Sequence, residues 1–443
     1  TGLYMAVTFL FCGWAGRELN GRSHGALAAL LLLGSFGLVV RSHQLISAIA
    51  GLAGFAMTYY GCALARRSLW GGLWLGTGVG VIFMSQGVLE AGISLLLAAV
   101  VPLIHPSWRT RVYWQSCLVA AVCAVPWITL WPLALYSRSP VLFHAWADLD
   151  LYGRFSGSYE PTFYYVGLLP WYGWPLWALG LWALWHAKQR KALDPSVALP
   201  LLGFVITLLV LSAPAEKRDL SGLPLLVPLA LLAAPAANTL RRGAANAWYW
   251  FSIMGFTFFI IVGWFYWSAL ELGVPARLHE HLLQLQPGYA TGFRLLPFVL
   301  GAAYTAVWFI VVWRTKRTPE RPAVIWATGV TVIWALLAIL FIAWIDVGKS
   351  YRSVMVAVRS AMPAQYHCMN SRGLGEPQRA MLEYYTGVIS QRLETESRRD
   401  CDLLLIQSRP GEEHAQRGWK KIWDGGRPGD KAEHYYLYHR TRR

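Results

Sequence analysis

The sequence predicts an all-α polytopic membrane protein of about twelve transmembrane helices, followed by a small C-terminal α/β domain outside the cytoplasm. Three observations lead there. Of 443 residues, 56% are hydrophobic and only 14% charged, against about 25% charged in soluble globular chains. That excludes an ordinary soluble protein, and the apolar content excludes a disordered one. The apolar residues gather in runs that approach the roughly 20 residues needed to cross a bilayer. The loops between those runs alternate in charge, and the 24 Trp suit a protein with two membrane interfaces.

Twelve runs are read, at 3–16, 25–40, 45–65, 69–84, 87–104, 113–135, 165–185, 197–213, 222–240, 249–270, 292–313 and 322–345. The first begins at once, with no basic segment or cleavage site before it, so it is not a signal peptide. The expectation is a chain whose natural start lies upstream. The fourth and fifth runs are separated only by Ser85 and Gln86. They are kept apart because of the loop charges. The loops after runs one, three, five, seven, nine and eleven hold 15 of the 22 Lys and Arg in residues 1–345. Six loops in phase with the positive-inside rule put those loops in the cytoplasm, and put the start of the chain and the tail outside. The formal charge of +16 follows this topology and does not point to nucleic acid.

The outer loops are 137–164, 214–221 and 271–291, with a short corner at 41–44. Beyond 345 the pattern changes. Helical spacing covers 350–362 and 376–388, strand-like segments cover 403–407, 419–424 and 434–439, and turns are expected at 424–426 and 427–430. The domains expected are therefore 1–345 and 346–443. Cys12, Cys62, Cys117 and Cys123 lie in predicted spans. Cys368 and Cys401 are the only two in the tail. An oxidising compartment permits a disulfide between them; two separate buried thiols are the alternative. No Cys or His spacing suggests a metal site. No cofactor is read from the residues, and a divalent metal stays open.

Several stretches resemble membrane glycosyltransferases of the GT-C architecture that take a sugar from a polyprenyl phosphate, nearest to the bacterial 4-amino-4-deoxy-L-arabinose transferases and the protein mannosyltransferase-like family. They are 15–32 (AGRELNGRSHGALAALLL), 71–89 (GGLWLGTGVGVIFMSQGVL), 168–183 (LLPWYGWPLWALGLWA) and 212–233 (SAPAEKRDLSGLPLLVPLALLA). The tail stretches 373–387 (GLGEPQRAMLEYYTG) and 418–430 (GWKKIWDGGRPGD) resemble a bacterial subgroup. The resemblance implies transfer from an undecaprenyl phosphate carrier to an extracytoplasmic acceptor, a lipid (lipid A among the options) or another envelope glycan. The setting would be the bacterial inner membrane, with the tail in the periplasm. It also implies a general-base Asp in a loop upstream of this chain. Two family features are replaced: a Lys-Gly corner is Gln86–Gly87, and Ser221 stands where a Tyr is expected.

Candidate site residues follow by position. Lys217 and Arg218, on an outer corner, suit a lipid phosphate, since Arg presents a fork and Lys a point charge; snorkelling anchors are the plainer alternative. Arg41, His43 and Gln44 form a second corner, either a binding element, with Arg41 a further lipid-phosphate ligand and His43 and Gln44 facing substrate or acceptor, or a polar turn. Asp219 either orients Arg218 or caps the next helix. The 137–164 loop offers His144, Asp148, Asp150, Tyr152, Arg154 and Glu160 for sugar hydroxyls or acceptor groups, unless it is simply solvated. Asp148 and Asp150 would diverge on a helix. On one continuous helix Glu90 would share a face with Gln86, and an ionisable residue in a span is a functional candidate by default. Competing readings are a transporter or flippase of a lipid-linked sugar, which would want a repeat and midplane charges, and a partner protein that has lost catalysis.

Overall fold

A computed structural model of the chain describes all residues except 157–160, 191–193, 394–399, 410, 412–417, 428–429, 431 and 442–443. It is mostly helical, with one small sheet near the C-terminus. Among the described residues, six helices are long and apolar enough to cross a membrane. Shorter apolar helices such as Val88–Ile104 and Pro195–Leu211 occupy other predicted runs.

The sequence reading needs correction where runs break. The run at 25–40 is two helices, Arg22–Leu33 and Phe36–Arg41, joined at Gly34–Ser35. The run at 165–185 is Tyr164–Tyr172 and Leu176–Arg190, parted around Pro175, since proline removes a donor and clashes with the preceding turn. The segment 137–164, read as a loop, also contains an unforeseen helix, Pro140–Leu151, whose N-terminal proline and Ser139 cap mark its start.

The chain divides into two compact units. The first comprises Thr1–Phe259 and Thr305–Trp334. Its core is a contiguous aliphatic and aromatic cluster including Leu27, Leu31, Phe55, Tyr59 and Leu231. Helices Ser47–Leu64 and Trp70–Gln86 approach closely, because Gly54 and Gly78 face the opposing backbone. A Cβ on Gly54 would lie 2.8 Å from the Gly78 carbonyl oxygen, and one on Gly78 would lie 2.7 Å from that of Gly54. In an apolar solvent there is little hydrophobic drive between helices, so close van der Waals contact at small residues holds them together.

The second unit comprises Ile260–Tyr304 and Ala335–Arg443. Its sheet has β1 Met369–Arg372, β2 Ser390–Arg392, β3 Leu403–Ser408, β4 Trp419–Gly425 and β5 His434–Arg440, in spatial order β2-β1-β3-β5-β4. β1 runs parallel to β2 and β3, while β3–β5 and β5–β4 are antiparallel. The parallel pair needs a crossover, which helix Glu376–Thr386 supplies. Strands β1 and β2 were not anticipated; at four and three residues they are too short to show a period. β3 alternates as a two-sided strand must. Leu403 and Leu405 pack on Val354, Met355 and Leu382, while Leu404 and Ile406 pack on Tyr436 and Tyr438.

Arg427 ties the sheet to the end of helix Arg321–Lys349. Its guanidinium lies 4.4 Å from the centre of the Tyr351 ring, pairs with Asp430 and Glu433, and donates to the Lys349 carbonyl at 3.2 Å. A disulfide joins Cys368 to Cys401, just before β1 and β3. Replacing both cysteines by Ser is expected to remove about 2–4 kcal/mol of tail stability, read as faster protease cleavage within 346–443 of the full chain. Two carboxyls are held below the ordinary Asp value, Asp424 chiefly by its hydrogen bond with His434 and Asp430 chiefly by the Ala432 N–H. Depressed acids stabilise only while ionised. Tail stability should therefore be flat above the ordinary value of 3.8 and fall as pH drops through it, in an acid series of the same protease assay.

Candidate functional site

A cavity of about 390 Å³ opens in the first unit. Its walls come from helices Ser47–Leu64, Trp70–Gln86 and Val88–Ile104, the turn after Pro140–Leu151, and the 214–221 corner. Gln86, Glu90, Arg154, Tyr165, Glu216 and Arg218 supply its polar and aromatic lining.

Arg154 organises the wall. One guanidinium nitrogen donates to both Glu90 oxygens at 2.7 and 2.9 Å. The other donates to the Gln86 carbonyl and pairs with Asp150 at 2.7 Å. The Arg154 carbonyl accepts from Ala215 N–H at 2.9 Å, linking this turn to the 214–221 corner. Asp150 also accepts from Val88 N–H at 2.8 Å, so a carboxylate sits at the start of helix Val88–Ile104, where the helix dipole favours negative charge. Gly87 makes this possible. Its φ of +104° suits glycine, and a Cβ there would collide with the Asp150 carboxylate.

Glu90 and Asp150 are only 6% and 8% exposed. Two buried carboxylates against one guanidinium would leave a net negative charge, and such charges are tolerated only when paired and hydrogen-bonded. Both acids serve to aim Arg154. Arg218 and Glu216 form a second, open pair at 2.8 Å, 73% and 66% exposed; water screens such a pair heavily, so Arg218 is easily drawn to another anion. The Tyr165 hydroxyl reaches the Arg218 carbonyl at 3.4 Å and meets the Ser221 side chain.

The other expected residues are placed elsewhere. Arg41 pairs with Asp219 and donates to Gln44 at 3.1 Å, so Asp219 neither orients Arg218 nor caps through its side chain. His43 stacks on Trp334 at 4.2 Å, and partial burial holds it below the usual imidazole value. Lys217 is buried, with Nζ donating to the Pro214 carbonyl at 3.1 Å. Asp148, His144 and Tyr152 are exposed, and Asp148 does diverge from Asp150. Glu160 lies outside the described residues. Sequence reasoning missed Tyr165 and Glu216; the latter could have been found from its place beside Lys217–Arg218. Among the described residues, no three His, Cys, Asp or Glu are grouped to hold a metal ion.

No family model matches the chain. It is similar to the undecaprenyl phosphate-alpha-4-amino-4-deoxy-L-arabinose arabinosyl transferase of Yersinia pestis (strain Pestoides F), 29% identical over 183 residues, which are 38% of this chain and 32% of that protein. The protein of the same name from Pseudomonas aeruginosa (strain UCBPP-PA14) is 27% identical over 356 residues, 76% of this chain and 59% of that protein. The chain thus spans well under two thirds of the curated relatives it matches. The crystal structure of ArnT from Cupriavidus metallidurans bound to undecaprenyl phosphate superposes with a TM-score of 0.66 at 13% identity, covering 98% of this chain and 82% of that one. The apo structure gives 0.62 at 14%. This chain therefore has the ArnT fold, and its resemblance to these membrane glycosyltransferases holds in sequence as well as in shape.

The wall also makes a prediction. Arg154→Ala leaves Glu90 and Asp150 buried without their cation, and should cost about 3–5 kcal/mol. Arg218→Ala, at an exposed pair, should cost no more than about 1 kcal/mol. Thermal melting of both variants in mild detergent compares them, and adding Glu90→Gln to Arg154→Ala should recover part of the loss.

Proposed function

We propose that this chain is a membrane glycosyltransferase that moves a sugar from a polyprenyl (undecaprenyl) phosphate to an extracytoplasmic acceptor, lipid A or another envelope glycan. In this reading it crosses the bacterial inner membrane about twelve times through residues 1–345, and residues 346–443 form a periplasmic domain. The observation that carries the reading is the cavity itself. It pairs an open guanidinium, Arg218, with a rigid polar wall around Arg154, in a fold shared with a protein crystallised with undecaprenyl phosphate.

The chemistry fits this arrangement. As the bond to the sugar breaks, negative charge grows on the leaving phosphate, so a cation there stabilises the transition state more than the ground state. Arg218 can exchange Glu216 for phosphate at small cost because both are exposed. Lys217 and Arg41 act behind it as part of the corner's positive field. Tyr165 provides an aromatic hydroxyl beside Ser221, the position where the family pattern carries a Tyr. Gln86 offers a neutral amide where that pattern has a Lys, so more of the phosphate charge falls to Arg218. Glu90 and Asp150, committed to Arg154, position the wall and do not remove protons.

The test is sugar transfer in membranes from cells making the full-length protein, supplied with extracted polyprenyl-phosphate sugars and followed by mass spectrometry of glycolipids. Intact protein should add a sugar mass to a glycolipid, and Arg218→Ala should slow this by on the order of 100-fold or more. Transfer unaffected by Arg218→Ala would remove the phosphate role from that residue. No mass gain with intact protein would sink the transferase reading in favour of a lipid-linked-sugar transporter or a non-catalytic partner.

A further inference from the structure

A second cavity, about 450 Å³, lies in the first unit between helices Leu176–Arg190 and Arg242–Leu272, away from the site above. Its size falls within the range of small-molecule sites, roughly 300–1,000 Å³. The lining is almost wholly apolar, with Trp174, Leu179, Trp182, Trp248 and Phe251 around two alanines of the second helix, Ala244 and Ala247. Phe251 and the neighbouring Trp250 are each 58% exposed, so the groove opens on the apolar outer surface of the helices.

Two features mark one end of this groove. Leu240 and Ala244 both line it and bracket Arg241 and Arg242, which are exposed. The segments that build it, 174–190 and 238–251, contain Lys188, Arg190, Arg241 and Arg242 and no Asp or Glu. Two of the lining tryptophans, Trp182 and Trp248, have buried indole nitrogens with no hydrogen-bond partner among the described residues. His186 stands one turn beyond Trp182, ring to ring at 4.8 Å. The two indole N–H groups are shielded from the groove, so recognition of a charged headgroup falls to the exposed arginine pair.

From this we infer that the groove holds an anionic phospholipid of the leaflet that Arg241 and Arg242 face. One acyl chain lies against the tryptophans. The phosphate is met by the arginine pair. Basic pockets between transmembrane helices on the cytoplasmic side recognise acidic headgroups in this way. The assignment does not depend on sugar transfer.

Native mass spectrometry of the full-length protein in mild detergent tests it, with equimolar phosphatidylglycerol and phosphatidylcholine of identical chains. The intact protein should retain phosphatidylglycerol on the order of 30-fold more than phosphatidylcholine, since each of the two surface arginines contributes about 1 kcal/mol. Arg241→Ala with Arg242→Ala should bring the ratio near one, and Ala247→Phe, which fills the groove, should abolish retention of both lipids. Should Ala247→Phe fail to fold, the arginine variant decides alone, because both positions are exposed. Equal retention by the intact protein, or a ratio unchanged by the arginine variant, overturns the assignment. Displacement of phosphatidylglycerol by equimolar undecaprenyl phosphate also overturns it, giving the groove to a prenyl chain.

Discussion

The first cavity depends on one guanidinium. Arg154 is held by Glu90, Asp150 and the Gln86 carbonyl at once, and its own carbonyl fastens the 214–221 corner. Three separate pieces of chain are thereby fixed to one planar group, and a fourth to the backbone of the same residue. A lysine could supply the charge but not the fork. Ion pairs of this kind add little net stability, because desolvation consumes most of the attraction. What they add is direction, and the surrounding side chains inherit it.

The two units solve different packing problems. In the first, helices gain little by hiding apolar surface from lipid, so the chain relies on glycines that let backbones touch. In the second, the tail behaves as a water-soluble domain does, with an alternating strand, a crossover helix and a buried aliphatic layer. Within this unit, Arg427 reaches from the sheet side to the Lys349 carbonyl at the end of helix Arg321–Lys349.

Much of this was legible in the sequence, and the limits have physical causes. The apolar runs and the longer tail strands stand out because burial imposes a period. Glu90, Gln86, Asp150 and Arg154 were all singled out, yet nothing local said that they meet. The Asp150–Val88 contact spans 62 residues and the Arg154–Gln86 contact 68, and one sequence records no such pairing. The residues next to Asp219 offer it Arg218 or a helix to cap, whereas it binds Arg41 across 178 residues. Helix Pro140–Leu151 was hidden because a short helix of mixed composition between two apolar runs reads as a loop. The short strands β1 and β2 are defined by their partners more than by their own residues.

The bond between Cys368 and Cys401 also bears on biogenesis. Disulfides persist in oxidising compartments and are rare in the cytosol. The four other cysteines remain thiols among apolar helices. With the tail in the periplasm as proposed, the redox state of this pair would record which side of the membrane the C-terminal segment reached during synthesis. A chain inserted upside down would carry its error as two reactive thiols, visible to quality control and to a thiol-specific label alike.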